Sequence, residues 1–154
     1  QHPVSVPGVR FSEFLRTAVN KVCSKSYSEK EFEKILLEKL DLVGLDSSFV
    51  SRDLNHNFSG GEKKKAEILQ VLLFEPKLLI LDEVDSGLDI GAMKSILSIL
   101  TELQKRTGMS IIFISHNLEA AQIWKGAKVA VLKDGQLGKV GSSEILDEVK
   151  KKGF

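Results

Sequence analysis

The chain has 154 residues, 42% of them hydrophobic and 28% charged, and a net charge of +1. This composition excludes a disordered chain, and its charge gives no general attraction to nucleic acid or to an anionic membrane surface. No apolar run approaches membrane-spanning length, no signal-peptide pattern opens the sequence, and one cysteine, Cys23, supplies neither a disulfide nor a metal-binding cluster. The expectation is one globular, cytoplasmic domain that binds no nucleic acid and inserts into no membrane.

In chain order, the opening from Gln1 to Gly8 carries Pro3 and Pro7 and reads as an extended loop. Phe11, Phe14, Leu15, Ala18 and Val22 then share the spacing of one helical face, and a serine-rich break from Ser24 to Ser28 closes that helix. Ser28 and Glu31 form a capping box for a second amphipathic helix. Its inner face is Phe32, Ile35, Leu36, Leu40 and Val43, and Gly44 is its C-cap. Asp46 to Asn57 reads as a polar linker without a strong pattern.

Ser59, Gly60 and Gly61 precede a run of good helix formers from Glu62 to Phe74. Their backbone N–H groups therefore lie at a helix N-terminus, which attracts anions. Adjacent glycines remove the Cβ atoms that would hold a phosphate away, and the Ser59 hydroxyl can cap the helix and donate a hydrogen bond. Glu75-Pro76 ends the helix. Leu78 to Leu81 is a continuous apolar run that fits a parallel strand buried on both faces. Asp82 and Glu83 close it at the end where open α/β sheets bind ligands. Adjacent side chains on a strand diverge, so one carboxylate can hold a hard cation while the other activates water.

Val84 to Asp89 is a tight polar turn into a helix, with Asp89 or Ser86 as its cap, whose apolar residues are Met93, Ile96, Leu97, Ile99, Leu100 and Leu103. Ser110 to Ser115 is a second buried strand, and His116 follows it, level with Asp82 and Glu83 if the strands are neighbours. A short helix from Leu118 to Trp124 leads to a strand at Val129 to Leu132, and Lys133 to Gln136 turns that strand into a hairpin with Leu137 to Val140. Ser142 or Ser143 caps a last helix with Ile145, Leu146 and Val149 inside. His2 and His56 read as exposed loop residues.

FSGGE at 58–62, LLILDE at 78–83 and DSGLD at 85–89 resemble the signature, Walker B and D-loop motifs of ABC-type ATPases, in the family's order and spacing. Within that family the chain is most similar to the SufC-like ATPases of the Suf iron-sulfur cluster assembly system. That likeness rests on HPVSVPGV, FSGGEKKKAEILQ, LDEVDSGLDIGA and KDGQLGKVG. Transporter ATPases usually have LSGGQ and a proline where this chain has Val84.

The resemblance implies an α/β fold, the C-terminal part of an ABC ATPase domain. Residues 1–76 would be a helical subdomain with the end of the Q-loop and the signature motif, and 77–154 the C-terminal part of a mainly parallel P-loop NTPase-type core sheet. It implies a head-to-tail pair of ATPase subunits using ATP and Mg2+. In that pair Ser59, Gly60, Gly61 and Glu62 face the γ-phosphate held by the partner chain, and Asp89 crosses the seam. Asp82 holds magnesium through water, Glu83 polarises the attacking water, His116 contacts the γ-phosphate, and Gln1 senses magnesium and water. The helical subdomain, at Pro3 to Phe14, would dock a SufB/SufD-like scaffold. A membrane-transporter ATPase subunit is the alternative, and a non-catalytic interaction module is a further one. No G-x-x-x-x-G-K-[ST] occurs in the 154 residues, so the phosphate cradle is expected in a preceding portion, and this chain alone is expected to hold ATP poorly and to be inactive.

Overall fold

The computed structural model describes residues 3–85, 88–124 and 126–152. The expectations for Gln1, His2 and Ser86 lie outside them. Along the chain the elements are β1 (Val6–Arg10), α1 (Phe11–Val22), α2 (Glu29–Val43), a 3-10 turn (Ser47–Val50), β2 (Asp53–Leu54), α3 (Gly60–Phe74), β3 (Leu78–Asp82), α4 (Ile90–Thr107), β4 (Ser110–Ile114), α5 (Leu118–Ile123), β5 (Val129–Lys133), β6 (Gln136–Gly141) and α6 (Glu144–Lys152). They divide into two compact units, one running to Leu79 and including Ser98–Ile111, the other made of Ile80–Leu97 and the chain from Ile112 onward.

In the first unit, α1 turns Phe11, Leu15 and Val19 inward, and α2 turns Phe32, Leu36, Leu40 and Val43 inward. Both stripes repeat at the helical spacing of three and four residues. Phe14 and Val22, expected on the inner face of α1, are exposed instead. Phe14 falls at the edge of the stripe set by Phe11, Leu15 and Val19, while Val22 lies on its line but is the last residue of the helix. α2 begins with the expected capping box at Ser28 and Glu31 and ends at Gly44 in the left-handed conformation.

Two corrections concern the loops. The opening segment is not merely a loop, because Val6–Arg10 forms a strand paired antiparallel with Asp53–Leu54. Gly8 has φ +83, and its N–H donates to Asp53 Oδ2 at 2.8 Å, while Asn55 Nδ2 donates to the Val4 carbonyl at 2.9 Å. The linker from Asp46 to Asn57 is likewise built. Asp46 caps the 3-10 turn by accepting from the Ser48 N–H at 2.8 Å. Phe49 is buried against Phe11 and Phe58, with ring centroids 6.3 and 4.6 Å away. A polar composition concealed one buried aromatic that anchors the whole segment.

β3 pairs with β4. Ser110 N–H donates to the Lys77 carbonyl at 2.9 Å, and Glu83 N–H to the Ile114 carbonyl at 2.9 Å, so the strands run in the same direction. Their burial does not match the expectation. Leu79 and Leu81 are buried, but Ile80 is 57% exposed and Ile112 and Ile114 are each 48% exposed. Side chains alternate across a strand, and among the described residues no element covers this second face.

In the second unit, Met93 and Leu97 of α4 form a core with Val84, Leu88, Phe113 and Trp124. The β5–β6 hairpin forms as expected, and Leu132 pairs with Leu137. Asp134 and Gly135 turn it with φ +50 and +73, the pair of positive values that a two-residue turn matching strand twist requires.

Candidate functional site

Ser59 is the N-cap of α3, with extended backbone angles, and it makes a complete capping box with Glu62. Its hydroxyl accepts from the Glu62 N–H at 3.2 Å, and its own N–H donates to Glu62 Oε2 at 2.7 Å. The next two positions are Gly60 and Gly61. Neither has a positive φ, and a Cβ built on either meets no atom within 4 Å. Neither backbone strain nor packing inside the chain therefore asks for glycine here.

The Ser59 N–H, followed by the Ser59 hydroxyl and Arg52, holds the Glu62 carboxyl below its ordinary value of 4.5, against a smaller opposing effect of burial. A carboxylate with a lowered folded pKa adds stability above its unfolded pKa and loses it as pH falls through the folded value. Glu62→Gln, which keeps the cap but not the charge, is therefore expected to melt lower than the parent at neutral pH. The gap should close as pH falls through the lowered folded value. A gap unchanged in acid would show that the charge is not what stabilises this turn.

Sequence reasoning missed Arg52. Its Nη1 lies 3.2 Å from Glu62 Oε1, and its Nη2 donates to the Asn57 carbonyl at 2.8 Å. The guanidinium carbon sits 4.3 Å from the Phe49 ring centroid and 4.6 Å from that of Phe58. With both side chains of the ion pair about a third exposed, the charge contact adds about 1 kcal/mol at most. Its effect is mainly orientational. The available signal was an arginine between two phenylalanines, a spacing with no periodicity to mark it.

In the second unit, Asp82 is the last residue of β3 and is exposed. Glu83 lies beyond the strand and takes φ +49. Alternation along a strand therefore does not apply to this pair, because Glu83 lies in a left-handed turn past the end of β3. His116 stands level with them as expected, its Nδ1 3.5 Å from Glu83 Oε1. Asp89 is used inside the chain, where its Oδ1 accepts from the Ala92 N–H at 2.9 Å and caps α4. Of the two candidate caps, this is the one the described residues display.

Asp85 was also missed. It is only 7% exposed, and its Oδ2 accepts from the Ser115 hydroxyl at 2.7 Å. Ser115 Oγ accepts in turn from the Asn117 N–H at 2.8 Å. The residues on both sides of His116 are therefore hydrogen-bonded, while the imidazole itself is largely exposed beside Glu83. Asp85 Oδ1 has no partner among the described residues. Nothing in the sequence D-S-G-L-D distinguishes an inward aspartate from an outward one.

Among the described residues, no group of three or more His, Cys, Asp or Glu could hold a metal ion by itself. A magnesium ion bound to nucleotide needs only one or two protein carboxylates, since phosphates and water fill its other positions. Asp82 meets that requirement.

These features define the class. The chain belongs to the ABC transporter family, whose sequence profile matches residues 1–86. It is 41% identical to a probable ATP-dependent transporter of Pyropia yezoensis, covering all of this chain and 62% of that protein. It is 34% identical to the iron-sulfur cluster assembly protein SufC of Plasmodium falciparum, covering all of this chain and 45% of that protein. The fold is that of the dimeric structure of a bacterial ABC transporter cassette, with a TM-score of 0.76 at 22% identity over 90% of this chain and 59% of the other. The chain thus spans less than two thirds of the length of these proteins. No helix among the described residues is long and apolar enough to cross a membrane.

Proposed function

We propose that this chain is part of a SufC-like ATPase, which couples ATP binding and hydrolysis in a head-to-tail dimer to rearrangement of an iron-sulfur assembly scaffold. The observation that carries the reading is the pair of glycines at the start of α3, which nothing among the described residues requires and whose two backbone N–H groups are left over once the capping box has used those of Ser59 and Glu62. On this reading residues 1–76 form the helical subdomain and 77–154 the C-terminal part of the core.

Ser59, Gly60 and Gly61 meet the γ-phosphate of ATP held by the partner chain, with Glu62 fixing the turn and Asp89 at the seam. Glu83 orients and polarises the attacking water. His116 stands beside Glu83, where its imidazole can contact the transferring group. Asp82, with Gln1 from the Q-loop, would hold Mg2+, whose charge offsets that of the phosphate oxygens. Phosphoryl transfer depends mainly on positioning and charge neutralisation, so closure of the dimer completes the site.

The phosphate cradle belongs to a portion of the protein outside these 154 residues, and the chain alone is inactive. The uncovered face of β3 and β4, with Ile80, Ile112 and Ile114, supports this, since apolar strands of a parallel sheet are normally covered on both sides.

The likeness to a protein named for iron-sulfur assembly runs the length of the chain, and Val84 and the KKK after the signature turn depart from the transporter pattern. The name of the algal relative supports the second reading, an ATPase subunit of a membrane transporter. Both need a docking surface. The first unit has a groove of about 400 Å³ lined by Arg10, Glu13, Arg16, Glu29 and Glu33, next to the proposed scaffold-binding segment Pro3 to Phe14. Reversing Arg10 and Arg16 together to Glu in the complete protein is expected to weaken scaffold binding about tenfold or more. Pull-down with the scaffold proteins reads this directly, and undiminished binding would exclude the groove. Recovery of the parent protein with membranes, and not with a cytoplasmic scaffold, would favour the transporter reading.

A further inference from the structure

We infer that Arg52 is a positioning residue for the γ-phosphate site of the partner chain, acting through the turn that presents Ser59, Gly60 and Gly61. The inference rests on the ATPase reading above and adds a residue that no motif contains.

Arg52 touches the turn from both sides. Nη2 holds the Asn57 carbonyl just before Phe58, and Nη1 reaches Glu62 just after Gly61. The guanidinium carbon lies over the Phe58 ring and the buried Phe49 ring. The Arg52 carbonyl accepts from the Phe11 N–H at 2.8 Å, which ties its backbone to the start of α1. Residues 57 and 62 bracket the glycine turn, and one side chain fixes both of them.

A planar fork with several donors can do this, and a lysine cannot, because its single nitrogen lacks the fixed geometry and the flat face. Gly60 and Gly61 have no side chains with which to set their own orientation, and a Cβ there would meet nothing. The aim of the turn is therefore set from outside it. A small displacement of groups that must meet a transferring phosphoryl is costly to the rate.

Because the signature turn serves the nucleotide of the other chain, a fault at Arg52 should appear in trans. The test uses the complete protein and Arg52→Met, whose apolar side chain still packs on the two rings. ATP binding to the variant's own chain should stay within about twofold of the parent, with kcat lowered about tenfold to a hundredfold. Arg52→Lys should recover only part of that loss.

The decisive readout mixes Arg52→Met with Glu83→Gln. Only the mixed dimer contains a site with an intact Glu83 on one chain and an intact signature turn on the other. An equal mixture should turn over well above the mean of the two variants measured alone, with about a quarter of parental turnover as the ceiling, since half of the dimers are mixed, each has one competent site, and ATP held at the Glu83→Gln site slows reopening. Parental kcat in Arg52→Met alone, or failure of the mixture to regain activity, would overturn the inference, because a folding defect in cis is not repaired by a partner. Ser59→Leu mixed with Glu83→Gln separates the two ideas. Recovery with Ser59→Leu but not with Arg52→Met rejects the role of Arg52 alone. Recovery with neither rejects the signature-turn reading and the inference with it.

Discussion

Glu83→Gln in the complete protein is expected to lower ATP turnover by about two to four orders of magnitude, the usual worth of a positioned general base, while ATP binding is kept. The amide has the shape of the carboxylate but neither its charge nor its basicity. Glu83 is suited to the role by two features of its setting. Its left-handed backbone turns it off the line of β3, and the imidazole of His116 is 3.5 Å away. Because the nucleotide that joins the two chains would no longer be consumed, the variant should also accumulate as an ATP-bound dimer, visible by gel filtration. Single-turnover hydrolysis at close to the parental rate would exclude Glu83 as the base.

Gly60→Ala and Gly61→Ala are expected to separate stability from activity. Neither position needs glycine for its backbone angles, and the added methyl group meets no neighbour within 4 Å. Each change should therefore leave the fold intact and stabilise it by up to about 0.5 kcal/mol, because alanine loses less backbone freedom in a helix. On the proposed reading the same methyl group projects where the partner's phosphate would approach. Turnover should fall about a hundredfold or more, the scale seen when backbone donors to a developing charge are lost. Melting curves and turnover measured on the same preparations give the comparison. A variant that melted higher and turned over normally would mean that no phosphate approaches this helix end.

The α/β class and the helix and strand sequence were legible because they depend on local rules. The capping boxes at Ser28 and Ser59, the left-handed Gly44 and the Asp134-Gly135 turn each follow from a few neighbouring residues. Periodicity also placed most inward residues of α2 and α4. What it could not give was the company a residue keeps at long range. Ile80 and Leu81 look alike in sequence, yet one is exposed and the other buried, because burial depends on which layers are present. Arg52 reaches forward ten residues to Glu62 and Asp85 reaches forward thirty to Ser115, distances at which no local pattern speaks. The candidate residues Ser59, Asp82, Glu83 and His116 were singled out by their places at a helix start and at strand ends, and the resemblance supplied their expected roles. The side chains that hold them were not, since turns of similar composition can face either way.

The pairing of β1 with β2 bears on where this protein can be cut. End segments are ordinarily the parts of a domain most safely trimmed. Here a version beginning at Phe11 would strip Asp53 of the Gly8 N–H and Asn55 of the Val4 carbonyl, and would leave β2 with no strand beside it. The released stretch leads straight into Phe58 and Ser59. Shortened preparations meant to isolate the helical region should therefore keep Val4 onward, or they will loosen the turn they are made to study.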